Sequence, residues 1–197
     1  MNIKKAYTLL MAACLIPAVA DGAGVIELRN WKMSDGKGNT WDAEVPCTVA
    51  GVLADSGYFG EGILEKDNYT AIDKSVFDGA WTFSTVFDAG SRCGNCSLLK
   101  FEGLNYYADI VLNGKKIADS STTFGVFVRR TFNVTKLLKK SGNTLSVTLR
   151  RAGKGDLNIG FVDWNPRPAD ESMGITGTVT LETVGAVAVE DAFVKPL

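Results

Sequence analysis

Three adjacent side chains, Asp163, Trp164 and Asn165, have the chemistry of a carbohydrate site. The Asp163 carboxylate can accept hydrogen bonds from two sugar hydroxyls, and the Asn165 amide can both donate and accept. The flat face of Trp164 can stack on the C–H side of a pyranose ring. A purely structural role is the alternative, in which Trp164 packs at the edge of a core and Asp163 caps a turn. Residue types alone favour that structural role, since short motifs also occur by chance.

The residues around these three side chains require them to lie on a loop. Pro166 and Pro168 lack a backbone donor and fix φ, so residues 160–175 cannot form a helix interior or a central strand. Asp170 and Glu171 follow on the same loop. Because neighbouring loop acids point apart as often as together, we expect these two to be salt-bridged or solvated and not a catalytic pair.

Short strand patterns, separated by turn residues, make up most of the chain. Residues 81–87 alternate and place Trp81, Phe83 and Phe87 on one face. Asn113-Gly114 is a strong type I′ hairpin signal, because both central residues must accept a positive φ. Strands are predicted over residues 25–29, 40–45, 81–87, 97–104, 106–112, 115–118, 127–134, 143–150, 177–184 and 187–194.

Helical patterns are scarce. They are confined to residues 49–57 and 135–140, where Thr135 would be the N-cap of the second helix. Many short strands with few helices indicate an all-β fold, a two-sheet jelly-roll β-sandwich.

The N-terminus has the pattern of a secretory signal peptide. Lysines precede an apolar stretch over residues 6–20, and small residues stand just before Asp21. The stretch is short and is interrupted by Pro17, so a transmembrane helix is not predicted. Residues 1–20 are therefore predicted to be a signal peptide and residues 21–197 a single domain that is secreted or periplasmic.

A second interpretation of the N-terminus is a lipoprotein signal. Residues 11–14 loosely match a motif in which Cys14 would be acylated and become a lipid anchor. The apolar sequence continues past Cys14 to Ala20, which favours ordinary cleavage.

Charge and cysteine content limit the partners. The chain has 21 basic and 22 acidic residues and no histidine. The basic residues occur in short runs such as Lys139-Lys140, so no nucleic-acid partner is predicted.

Cys93 and Cys96 could close a small disulfide loop or hold half of a metal site. Because the chain has no histidine and no second cysteine pair, we favour the disulfide and predict no metal and no cofactor, with Cys47 a buried free thiol.

The loop resembles a known family. Asp163-Trp164-Asn165-Pro166, followed by Pro168, Asp170 and Met173-Gly174-Ile175, is similar to the stretch that closes the N-terminal sugar-binding domain of glycoside hydrolase family 2. The similarity is greatest to the exo-β-glucosaminidase and β-mannosidase branch. Further matches follow in order at residues 45–49, 78–83, 101–109, 112–115, 132–135 and 143–147.

The resemblance implies a galactose-binding-like jelly roll whose loop reaches over the mouth of a catalytic barrel. Asp163 and Trp164 would there contact the terminal sugar of a β-linked glycan. The sequence departs from the family pattern at Ala169, Thr176 and Gly177, which suggests that this domain docks weakly or not at all against neighbouring domains. A further departure is Cys47, which stands where relatives have glycine.

The chain by itself is not expected to be a glycosidase, and no catalytic residue is assigned. A retaining glycosidase needs two carboxyl groups roughly 5 Å apart. The resemblance places both on a (β/α)8 barrel, which needs about 250 residues. The leading hypothesis is the substrate-recognition domain of a secreted β-glycosidase whose barrel lies on a longer or separate chain. The alternatives are a stand-alone carbohydrate-binding module at the cell surface and a structural interaction domain that binds no sugar.

Overall fold

The computed structural model describes residues 24–90, 96–158, 167–185 and 193–195. Its strands are β1 (Gly24–Glu27), β2 (Asn30–Ser34), β3 (Thr40–Glu44), β4 (Cys47–Thr48), β5 (Trp81–Phe87), β6 (Cys96–Phe101), β7 (Tyr107–Leu112), β8 (Lys115–Ala118), β9 (Arg130–Asn133), β10 (Asn143–Arg150), β11 (Gly174–Ile175) and β12 (Val179–Val184). Helical structure is limited to α1 (Val49–Asp55) and two short 3₁₀ helices, Asn68–Ala71 and Lys74–Phe77. The predicted signal peptide and most of the strand predicted over 187–194 lie outside the described residues.

The strands form two antiparallel sheets that pack face to face. One sheet has four strands in the order β1-β12-β6-β9, and the other has six in the order β3-β2-β5-β10-β7-β8. A small ladder joins β4 to β11. The predicted all-β sandwich is confirmed.

Alternation along the central strands explains why the two sheets pack together. In β5, Trp81, Phe83 and Phe87 are buried, as predicted, while the side chains between them face outward or are half-buried. β10 alternates in the same way, with its leucines and Val147 in the core. The largest fully buried side chains include Met33, Phe77, Phe83, Leu99, Phe101, Ile110, Leu145 and Leu149. Burial of these apolar surfaces is the main stabilising contribution.

Two local predictions are confirmed. Asn113 and Gly114 have φ values of 51° and 80° and join β7 to β8. Helix α1 begins where its pattern predicts, and the Thr48 hydroxyl accepts a hydrogen bond of 3.1 Å from the Gly51 amide. The helix ends at Asp55, two residues before the predicted end.

The prediction of a second helix over residues 135–140 is wrong, because these residues form turns. The Thr135 hydroxyl does not cap a helix but accepts a hydrogen bond of 2.9 Å from the Ser97 amide and donates one of 2.7 Å to Asn133 Oδ1. The Asn143 side chain binds both backbone groups of Lys139. Such side-chain bonds to the backbone offer the chain an alternative to helical hydrogen bonds.

The strand boundaries also differ in places. The strand predicted over 127–134 is shortened to Arg130–Asn133, since Phe127 has a φ of 57° and cannot belong to an extended strand. The sequence pattern also missed β2, which pairs with both β3 and β5.

Candidate functional site

The predicted carbohydrate-binding residues Asp163, Trp164 and Asn165 lie outside the described residues, so their role stays a prediction. The structure does define both flanks of the segment 159–166. Asn158, before it, donates through Nδ2 to the carbonyl oxygen and to Oε2 of Glu171, both at 3.1 Å. Arg167, after it, donates through Nε to the same Oε2 at 2.7 Å. The two flanks therefore meet at one carboxylate, and the expectation that Glu171 is salt-bridged is confirmed.

Asp170 is buried, so the expectation that it is salt-bridged or solvated is wrong. Its side chain lies in the interior, where Oδ2 accepts a hydrogen bond of 2.8 Å from the Ala50 amide and Oδ1 one of 2.9 Å from the Ser172 amide. Burial raises the pKa of the Asp170 carboxyl, while these two amide hydrogen bonds act in the opposite direction. Asp170 thus ties the loop to the first turn of α1.

Asn105 holds the backbone of the loop, a role that the sequence did not predict. Its Nδ2 donates to the carbonyl oxygens of Glu171 and Ser172 at 3.0 and 2.8 Å. Glu171 and Ser172 both have a φ of 56°, a conformation that costs an L-residue roughly 1–2 kcal/mol. Asn105 is itself held by two backbone hydrogen bonds with Gly174. The Asn105 amide donates to the Gly174 carbonyl at 2.9 Å, and the Gly174 amide donates to the Asn105 carbonyl at 2.8 Å. The only sequence signal was an amide between apolar residues in the matched stretch 101–109.

The last part of the loop is packed against neighbouring backbone. A Cβ atom on Gly174 would overlap the Cys47 carbonyl, and one on Gly177 would overlap the Gly103 amide. Cys47 lies in β4 opposite Ile175. The β4 backbone therefore accommodates a cysteine at the position where the relatives have glycine.

Two cysteines, Cys47 and Cys96, lie among the described residues. Cys47 is a free, half-buried thiol, and burial raises its pKa to about 11. Cys96 has no disulfide partner among the described residues, and Asn133 Nδ2 lies 3.8 Å from its Sγ. Cys93 lies outside the described residues, so its pairing with Cys96 stays a prediction.

Nowhere in the described ranges do three or more His, Cys, Asp or Glu side chains gather as metal ligands. None of the helices in that part of the chain is both long and apolar enough to cross a membrane.

The two-sheet antiparallel sandwich is an all-β fold, which agrees with the family that the sequence matches. Residues 31–159 match the family model described as glycosyl hydrolase 2 galactose-binding domain-like, and the chain belongs to this family.

The relatives are enzymes several times longer than this chain. It is 32% identical to an exo-β-D-glucosaminidase of Hypocrea jecorina over 143 residues, which cover 72% of this chain and 16% of the relative. It is 28% identical to a β-mannosidase B of Aspergillus fumigatus over 120 residues, which cover 58% of this chain and 14% of the relative. The crystal structure of an exo-chitosanase from Amycolatopsis orientalis superposes with a TM-score of 0.75 at 20% identity, over 84% of this chain and 21% of that one. The chain thus spans about a sixth of the length of the curated relatives that it matches.

Proposed function

We propose that this chain is the substrate-recognition domain of a family 2 β-glycosidase. Asp163 and Asn165 hydrogen-bond the hydroxyls of the terminal sugar of a β-linked glycan, and Trp164 stacks on its ring. The two catalytic carboxyl groups belong to a barrel outside these 197 residues, on the same longer chain or on a partner chain.

The binding of Asn158 and Arg167 to Glu171 carries this proposal. It brings Asn158 and Arg167, the residues on either side of segment 159–166, to one carboxylate, so both flanks of the proposed binding loop are held at the same place. Asp170 and Asn105 then fix the base of this loop to α1 and to the strand edge. A rigid base lowers the entropy cost of ordering a binding loop around a ligand.

Export is part of the proposal. The basic start and the apolar run over residues 6–20 would direct the chain across a membrane, with cleavage before Asp21 or, alternatively, acylation of Cys14. Mass spectrometry of the N-terminus of the exported protein distinguishes these two products.

Sugar titration tests the loop. We expect mannose or glucosamine to bind in the millimolar range and to shift NMR signals of the segment 159–166, since half of the pocket belongs to the barrel. Asp163→Ala and Trp164→Ala should weaken binding and change the free energy of unfolding by less than about 0.5 kcal/mol, because their contacts are to ligand. Asp88→Ala is the matched control for the lost charge, since Asp88 directly follows β5 at the end opposite to Trp81.

Two results would contradict the proposal. Both loop variants could lose substantial stability with no effect on binding, which would make the loop architectural. The chain alone could also hydrolyse an aryl β-mannoside or β-glucosaminide in a reaction that a substitution in this chain abolishes.

A further inference from the structure

A polar groove opens at the edge of the sandwich where Arg151 contacts Ala169, close to the flanks of segment 159–166. Its volume is about 690 Å³, within the range of small-molecule sites. Arg150, the last residue of β10, pairs in register with Tyr107, the first residue of β7, and both line the groove. The chain runs from Arg150 through the groove wall to Asn158, at the base of the loop. On the other side, Arg151 Nη1 lies 3.5 Å from the Ala169 carbonyl oxygen, after the loop.

The polar groups of the groove hold one another in place. The Tyr107 hydroxyl donates to both carboxylate oxygens of Asp156 at 2.9 Å, and Asp156 also accepts a hydrogen bond of 2.7 Å from the Gly153 amide. The hydrogen bond to Asp156 raises the pKa of the Tyr107 hydroxyl. Arg151 is held by Asp78. Such groups need little reorganisation before they bind a ligand, which lowers the cost of binding.

The Tyr107 ring is the aromatic group in the lining of the groove, and the two rings that contact it, Tyr106 and Phe124, line a separate small pocket. The Tyr107 ring lies 4.8 Å from the ring of Tyr106 and 6.0 Å from that of Phe124. Phe124 is itself exposed. An aromatic face beside fixed hydroxyl, carboxylate and guanidinium groups suits a sugar ring, which has one apolar face and polar edges.

The charges in the groove are balanced. Arg151 pairs with Asp78, and Arg150 pairs with Asp109 at 2.9 Å. The remaining charged side chains in the groove lining are those of Asp156 and Lys154, a carboxylate and an ammonium group two residues apart in the chain. Nothing in this arrangement favours a strongly charged ligand.

We propose that this groove, lined by Tyr107, Asp156 and Arg151, binds an uncharged sugar unit of the glycan chain, a hexose or an N-acetylhexosamine, next to the unit at the loop. The class of ligand rests on the proposed function. The site itself does not, because it uses none of the residues 159–166.

Titration with disaccharides tests the groove. In the isotopically labelled chain, N,N′-diacetylchitobiose or β-1,4-mannobiose should shift the amide signals of Tyr107, Ser120 and Gly153. Tyr107→Phe and Asp156→Asn should each weaken binding by about threefold to tenfold, the effect of one lost hydrogen bond. Asp88→Asn is the matched control, since Asp88 also accepts a backbone hydrogen bond, from Gly142, but at the opposite end of β5. Affinity should change little with added salt, because the ligand is uncharged.

The outcomes separate the groove from the loop. If Asp163→Ala or Trp164→Ala abolishes binding while Tyr107→Phe and Asp156→Asn bind normally, the groove proposal is wrong and the loop proposal stands. The reverse pattern supports the groove and overturns the loop. The absence of shifts in both regions overturns both proposals, and tighter, salt-sensitive binding of the glucosamine dimer contradicts the uncharged ligand.

Discussion

The Asp170 carboxylate accepts a hydrogen bond of 2.8 Å from the amide of Ala50, 120 residues earlier in the chain. Ala50 lies in the first turn of α1, where amides have no partner within the helix. The Thr48 hydroxyl accepts from Gly51, so Thr48 and Asp170 together satisfy this helix end. The contact joins the base of the proposed sugar loop to the only α-helix among the described residues.

Asp170→Ala should therefore destabilise the fold. The substitution leaves the partly buried amides of Ala50 and Ser172 without acceptors, and the expected loss is about 2–4 kcal/mol in the free energy of unfolding. Urea denaturation followed by tryptophan fluorescence measures it. Glu61→Ala, which removes the same charge from an exposed loop, should change stability by less than about 0.5 kcal/mol. Equal stability of the two variants would contradict the assigned role.

The sandwich was predictable from the sequence because its signals are local. Alternation in residues 81–87 depends only on which side chains face the core, and Asn113-Gly114 carries its own turn geometry. The base of the loop was not predictable in this way. The partners of Asn105 are carbonyl groups 66 and 67 residues away. In the sequence Asp170 cannot be told from a solvated loop acid, because its partner amide in α1 is brought close only by the fold.

Gly174→Ala should be strongly destabilising. A methyl group there overlaps backbone atoms of Cys47 and Thr48, which cannot move without breaking the β4–β11 ladder. The expected loss is at least about 3 kcal/mol, at the upper end for overpacking. Gly79→Ala is the control, since a Cβ at Gly79 meets no atom within 4 Å. A change below about 1 kcal/mol at Gly174 would mean that the exit of the loop is looser than the structure describes.

Phe127 should contribute nothing to stability. Its side chain is 78% exposed and its φ is 57°, which costs a bulky residue roughly 1–2 kcal/mol. Phe127→Gly relieves this cost but makes the unfolded chain more flexible, so the net change should lie between zero and a gain of about 1 kcal/mol. Phe83→Ala, in the core, should lose about 3–5 kcal/mol in the same denaturation experiment. A loss of more than about 1 kcal/mol in Phe127→Gly would place its ring in a packed environment.

Cys47 should resist alkylation in the folded chain. Burial raises its pKa to about 11, so only about one thiol in a thousand is ionised at pH 8, and the thiolate is the reactive form. Below that pKa, the thiolate fraction rises about tenfold with each unit of increasing pH. Labelling by iodoacetamide should therefore become steadily faster from pH 8 to pH 10. Peptide mass spectrometry follows the reaction at this residue. The control is the same chain in concentrated urea, where Cys47 regains an ordinary pKa and should react much faster at pH 8. Equal rates with and without urea would show that the thiol is exposed in the folded chain and that the β4–β11 ladder does not cover it.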